Sequence, residues 1–349
     1  MQRFLKIVGN GRKSARDMTM EEAEEAFEKL LSGQTSDAQT GAFMAALRIK
    51  EESAEELTVF TRVLHKHSER SKVSRPNVLD VCVPYDGRGK TPVLLAASAL
   101  IAAAAGGKIA LHGRIGQGLS PKFGVAVGDV LKSLDIAVNS SLSEAEKILD
   151  QVGVSFLLSE KFSPILNRFD QIRLDYGMRS FFNTIEKLVN PFNADNAMVG
   201  VFHQPVMRRV ALAIQAQGYM RGLVVQGPEG SVEILTSRRN PIVEFQADGD
   251  LKEWAVDPAL FGWRALIDEA LPITPANNAE LTIKMLQPGE DGPHQRSALM
   301  TAAVMLYASN KSSTFEDALD QVRDVLSSGA VLTHLQRWRE ASLDLARQA

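Results

Sequence analysis

The chain has 349 residues, 39 basic against 42 acidic, a net charge of −3 and an apolar fraction of 45%. That balance excludes a uniformly basic nucleic-acid packer and a long disordered chain. One cysteine excludes an internal disulfide and a multi-cysteine zinc centre. The longest apolar stretch, 92–105, is too short to span a bilayer, and the start lacks the apolar core of a signal peptide. The expectation is a cytoplasmic protein with no membrane partner.

The first seventy residues read as helices. Thr19 with Glu22 forms a capping-box pattern, and Ala23, Ala26, Phe27, Leu30 and Leu31 then line one helical face. A second helix is predicted over 37–50. A third starts at the Ser53–Glu56 box and carries Leu57, Phe60 and Leu64. Residues 71–77 are polar, contain Pro76 and read as a linker. After them the pattern alternates. Strands are predicted at 78–83, 108–112, 154–158 and 222–226, and helices at 92–105, 125–134, 163–170, 178–189 and 206–217. Two or three more helices follow residue 295. Alternating strands and helices imply a mostly parallel sheet covered on both faces. The expected fold class is α/β: a small all-helical domain at 1–73, joined by helices from about 163–190, and a large α/β domain at 74–349.

Three places carry candidate chemistry. The run Asp86-Gly87-Arg88-Gly89-Lys90-Thr91 lies between a strand and a helix N-terminus. Backbone N–H groups and the helix dipole can hold an anion there. It is not a Walker A loop, because Pro84 stands where that motif needs its first glycine. The alternative is a plain turn with solvated Arg88 and Lys90. His112-Gly113-Arg114 ends a strand, where open α/β sheets bind ligands, and Arg114 can pair with a phosphate. The alternative is a structural turn with a hydrogen-bonded histidine. Arg3, Lys6, Arg12, Lys13 and Arg16 precede the first acid, Asp17. They form a basic patch able to bind phosphates by counterion release, or a solvated terminal face. Glu229 and Glu233 are candidate Mg²⁺ ligands or exposed turn carboxylates, and Arg208–Arg209 can meet phosphates or solvent. Cys82, in a predicted buried strand, reads as a packing residue.

The order of these segments resembles the anthranilate phosphoribosyltransferases, the TrpD-like members of glycosyltransferase family 3. Residues 39–50 (QTGAFMAALRIK) resemble that family's N-terminal helical motif, and Asp80, the glycine loop, the Ala-rich helix and His112-Gly113 follow in family order. Gly177-Met178-Arg179-Ser180-Phe181-Phe182-Asn183 and Leu188-Val189-Asn190-Pro191 resemble its substrate-side helix. The resemblance implies a helical domain on an α/β domain of the nucleoside phosphorylase and phosphoribosyltransferase type, and homodimers through the helical part. Arg179 matches the arginine that faces the aromatic amine substrate.

The donor motifs depart from the family pattern. The Gly-Thr-Gly-Gly-Asp loop is replaced by the stretch from Pro84 to Lys90. The Asn-x-Ser-Thr segment falls on Leu94, Ala96 and Ala97. The Lys-His-Gly-Asn-Arg segment becomes Leu111-His112-Gly113-Arg114-Ile115, and the metal-binding Asp-Glu pair falls on Val232 and Glu233. A lost donor in such a site costs about two to three orders of magnitude in rate. The YbiB-type subgroup is similar in these departures and in the opening Gly9-Asn10-Gly11-Arg12-Lys13-Ser14-Ala15-Arg16-Asp17. That likeness implies sequence-nonspecific binding of single- or double-stranded nucleic acid and no cofactor. The expectation is a phosphate-binding set of Lys6, Arg12, Lys13, Arg16, Arg88, Lys90, Arg114, Arg208 and Arg209, with Gly87, Gly89 and Gly113 in the phosphate loops. The alternative expectation is a divergent pentosyltransferase using phosphoribosyl pyrophosphate, with His112 and Arg179 in the site and Mg²⁺ held by Glu233.

Overall fold

The computed structural model describes residues 1–11, 13–116, 119–247, 249–266 and 273–348. Arg12 lies outside them. The chain opens with α1 (Gln2–Val8), α2 (Met20–Leu31), α3 (Asp37–Lys50) and α4 (Ala54–Lys66). Helices α2, α3 and α4 each start on a reciprocal capping box, from Thr19–Glu22, Ser36–Gln39 and Ser53–Glu56. Their apolar faces meet through aromatic rings. Phe27, Phe43 and Phe60 pack on Phe181 with centroid separations of 5.1 to 6.0 Å.

The α/β part follows in the order β1 (Arg75–Cys82), α5 (Leu95–Ala104), β2 (Lys108–Gly113), α6 (Val127–Ser133), α7 (Leu142–Val152), β3 (Val154–Leu158), α8 (Ser159–Phe162), α9 (Asp170–Tyr176), α10 (Phe182–Ile185) and β4 (Ala194–Val201). It continues with α11 (Met207–Gln215), β5 (Arg221–Gln226), β6 (Asn240–Gln246), β7 (Lys252–Val256), α12 (Pro275–Met285), α13 (Pro293–Ala308), α14 (Phe315–Ser327) and α15 (Ala330–Gln348). The seven strands form one sheet in the order β3-β2-β1-β4-β5-β6-β7. The first five are parallel, and β6 and β7 are antiparallel.

Side chains alternate across the sheet with period two. On β1, Leu79 and Val81 join a core with α5, α13 and α14, while Val78 and Cys82 face the helical domain and the phenylalanine cluster. Strands β2 and β4 flank β1, so the connections diverge to opposite sides there. Open α/β sheets bind ligands beyond the carboxyl ends of strands at such a point.

Two expectations need correction. The long helices predicted at 163–170 and 178–189 are short turns: a 3-10 segment Pro164–Phe169, then α9, α10 and a 3-10 turn Glu186–Leu188. Pro164 stands at the first position of its segment, where its missing N–H costs nothing, and Gly177, left-handed at φ 66°, stops α9. Strand β4, at the centre of the sheet, was not predicted, since Asp195, Asn196 and Gly200 interrupt its apolar run.

Candidate functional site

The loop from β1 to α5 and the turn after β5 build the first half of the site. Gly87 adopts φ +70°, and a Cβ there would lie 2.3 Å from the Gly124 carbonyl oxygen. Gly124 in turn presses on the Arg88 backbone, and Arg88 and Val125 exchange two backbone hydrogen bonds of 2.9 Å. The chain around Gly124 therefore lies directly on the glycine loop.

That loop does present an anion cradle, and the chain's own carboxylate fills it. Glu229 accepts hydrogen bonds of 3.0 Å from the N–H groups of Gly89, Lys90 and Thr91, and a fourth of 3.0 Å from the Thr91 hydroxyl. Glu229 holds φ +51°, a left-handed conformation that costs about 1–3 kcal/mol outside glycine. Burial pushes its carboxyl up, but the Gly89 and Lys90 N–H groups and Arg88 outweigh burial and leave it below the usual range. Glu233 does the same one step on. Its Oε1 accepts from the N–H groups of Leu94 and Leu95, at 2.7 and 3.0 Å, where α5 begins. Its Oε2 takes the Ser231 hydroxyl at 2.5 Å and the Arg88 guanidinium. Arg88, 4% exposed, lies between the two acids.

These positions correct several expectations. Glu229 and Glu233 are buried, not exposed turn carboxylates. Glu233 has its oxygens committed to protein donors, so it does not fit a metal ligand. Arg88 is turned inward and is unavailable to an external phosphate. Arg114 is also buried, bound to Asp170 at 2.6 Å and Asn167 at 3.0 Å. His112 is fully buried at the end of β2. Its Nδ1 shares a 2.5 Å hydrogen bond with the Tyr85 hydroxyl, and its Nε2 lies 3.1 Å from Asp80. Asp80 also accepts from Tyr219 and Cys82, while His112 Nε2 and Asp80 Oδ1 face each other without a hydrogen bond, and all of these side chains are buried. Gly113 is buried beside Tyr85 and Phe156.

The remaining cations lie at the surface. Arg16 pairs with Glu22 at 2.7 Å, Arg208 with Glu253 at 2.6 Å and Arg209 with Glu51 at 2.7 Å. Lys6, Lys13 and Lys90 are exposed and make no ion pair among the described residues.

The second half of the site is an open cleft of about 320 Å³ between the helical domain and the carboxyl end of β4. Arg48, Arg179, Ser180, Lys187, Phe202 and Arg209 are among its lining residues. Arg48 donates to the Arg179 carbonyl at 2.8 Å, and the Arg179 guanidinium lies 3.5 Å from buried Asp86. Lys122 crosses between the two halves. It pairs with Asp86 at 3.0 Å and donates to the carbonyls of Gly87 and Glu229 at 2.8 and 2.9 Å. Burial lowers its ammonium pKa. Sequence reasoning misses Lys122 and Lys187, and meets Asp86 only as the first residue of its loop. The one available signal was Glu186-Lys187, two adjacent charges between the apolar residues Ile185, Leu188 and Val189.

Residues 2–68 match the family model for the helical bundle domain of a glycosyl transferase family, and residues 83–332 match the model for its a/b domain. The chain belongs to this family. The curated relatives it resembles are anthranilate phosphoribosyltransferases. That of Nitrosomonas eutropha is 29% identical over 90% of this chain and 91% of the relative, and that of an Acidovorax species is 30% identical over 88% of each. Among solved structures, the anthranilate phosphoribosyltransferase of Thermus thermophilus superposes with a TM-score of 0.82, at 28% identity over 93% of this chain and 96% of that one. The Saccharomyces cerevisiae enzyme in complex with PRPP and Mg shares the fold, with a TM-score of 0.80 and 20% identity over 98% of each chain. Among the described residues, no helix is long and apolar enough to cross a membrane.

Proposed function

We propose that this chain is a divergent pentosyltransferase that takes an anionic, planar acceptor in the interdomain cleft. The observation that carries this reading is Arg179. It lines an open cleft at the switch point of the parallel sheet, in a chain that spans nine-tenths of curated transferases. The donor side is rebuilt. A donor pyrophosphate must displace the Glu229 carboxylate from the N–H groups of Gly89, Lys90 and Thr91. Turnover is therefore expected to be slow. The test is a thermal shift with phosphoribosyl pyrophosphate and Mg²⁺, followed by pyrophosphate release with a panel of aromatic amines. Stabilisation and acceptor-dependent release support the reading; a flat shift and no release sink it.

A second reading is sequence-nonspecific nucleic-acid binding, as in the YbiB-type subgroup, by a dimer joined through the helical domain. Exposed, unpaired Lys6, Lys13 and Lys90 favour it, and the surface pairs of Arg16, Arg208 and Arg209 are weak enough to open toward phosphates. It expects affinity for single-stranded DNA that falls steeply with salt. No shift at low salt removes it.

A further inference from the structure

Beneath the helical domain, the sheet buries an acid, a thiol and an imidazole side by side. Asp80 and Cys82 stand two residues apart on β1, so their side chains leave the same face, and His112 reaches them from neighbouring β2. All three are 0% exposed. One atom from each, a carboxylate oxygen, the sulfur and a ring nitrogen, lies within 4.8 Å of the other two. His112 Nε2 and Asp80 Oδ1 are 3.1 Å apart, yet neither makes a hydrogen bond among the described residues. Buried polar atoms in that state are rare in a folded chain and call for a partner. Neither functional reading uses them.

The surroundings are those of a metal centre. Two atoms bound to one tetrahedral zinc ion lie about 3.3–3.5 Å apart, since bonds to N or O are about 2.0 Å and bonds to S about 2.3 Å. The Nε2–Oδ1 distance of 3.1 Å and the 3.3 Å from Cys82 Sγ to Asp80 Oδ2 are close to that spacing. Metal ligands are held by outer hydrogen bonds, and both kinds are in place here. The Tyr219 hydroxyl donates to Asp80 Oδ2 at 2.9 Å, and the Tyr85 hydroxyl can accept from His112 Nδ1, which leaves the lone pair on Nε2. Phe162 closes the site with its ring 5.7 Å from the imidazole. A carboxylate and a thiolate bring two negative charges and a neutral imidazole none, so a divalent ion leaves the buried cluster neutral. The mixed O, S and N set suits zinc, whereas magnesium and calcium take oxygen alone. We propose that Asp80, Cys82 and His112 bind one Zn²⁺, which pins β1 to β2 under the helical domain. The thiol proton passes to solvent as the ion binds. With every ligand buried, the ion is structural and enters as the chain folds.

The experiment expresses the full chain in medium supplemented with Zn²⁺ or, separately, with Co²⁺ as its coloured substitute, and purifies it by gel filtration in the presence of a chelator. One metal ion per chain is expected by elemental analysis. The cobalt form should show the intense visible bands of a tetrahedral ion and a near-ultraviolet thiolate-to-cobalt band. The chain has one cysteine, so that band can only report Cys82. Cys82→Ala should abolish the band and lower zinc affinity at least tenfold. Tyr219→Phe, which touches no ligand atom but Asp80 Oδ2, should lower it about tenfold, the usual cost of losing an outer partner. Affinity is read by equilibrium dialysis against a chromophoric chelator, and a melting curve confirms that each variant folds. A plain buried His112–Asp80 pair predicts a metal-free chain and no thiolate band; either result in the wild type overturns the site, as does equal metal retention in folded Cys82→Ala. The outcome is independent of pyrophosphate release and of nucleic-acid binding.

Discussion

The two halves of the site differ in how their polar groups are satisfied. In the loop after β1, the backbone donors that could hold a phosphate are all bound to Glu229 or Glu233, and Arg88 is locked between those acids. In the interdomain cleft, Lys187 has no acid partner and the Ser180 hydroxyl has no partner among the described residues. The carboxyl end of the same sheet thus carries a filled anion cradle and, in the cleft, polar groups that the chain itself does not fill. A family relationship fixes where a site lies. The hydrogen-bond inventory decides whether anything external can enter it.

The largest effect tests the closed half. Arg88→Met leaves Glu229 and Glu233 buried without their cation, and should cost about 3–5 kcal/mol in urea unfolding. A loss near zero would mean that the two acids are solvated and the cradle is open. Glu229→Gln is milder. It keeps an acceptor oxygen but removes the charge, so the expected loss is about 1–3 kcal/mol. The same change should tighten binding of inorganic pyrophosphate, measured by competition against a fluorescent analogue. Tighter binding in the wild type than in the variant would break the comparison.

Lys187 tests the open half through pH. Its folded pKa is about 7, against an ordinary lysine value of 10.5. Between those values the unfolded chain holds a proton that the folded chain has released, so this group makes wild-type stability rise with pH across the window. Lys187→Met should therefore melt higher than wild type at pH 7, with a gap that narrows toward pH 10. A gap independent of pH would place the ammonium in water. The smallest effect belongs to the surface. Alanine at Lys6, Lys13 and Lys90 should leave the melting temperature almost unchanged, while flattening the salt dependence of any nucleic-acid binding by about one log unit per lost phosphate contact.

Local signals in the sequence were reliable where the chemistry is local. The capping boxes at Thr19 and Ser53 marked the helical domain, and the strand-to-helix alternation marked the parallel sheet. Ser141 with Glu144 is a further capping box, at the start of α7, and the periodic reading passed over it. Strand β4 was illegible because its extended form depends on lying between β1 and β5. The site failed for the same reason. Glu229 meets its donors across 138 to 140 residues of chain, and no spacing rule connects Gly89 to Glu229. Arg88 and Arg114 have the residue type of phosphate ligands, but only the fold shows that each already faces an acid.

Lys122 donates to one carbonyl after β1 and another after β5, and it lies in the segment after β2. Three loops from three strands are thereby tied at one ammonium. The stretch from Gly87 to Thr91 is a loop by conformation, yet its amides are sealed like those of a sheet. In deuterated solvent, the N–H groups of Gly89, Lys90 and Thr91 should exchange on the timescale of the central strands and not of surface turns, and all three should be released together when Lys122 lets go.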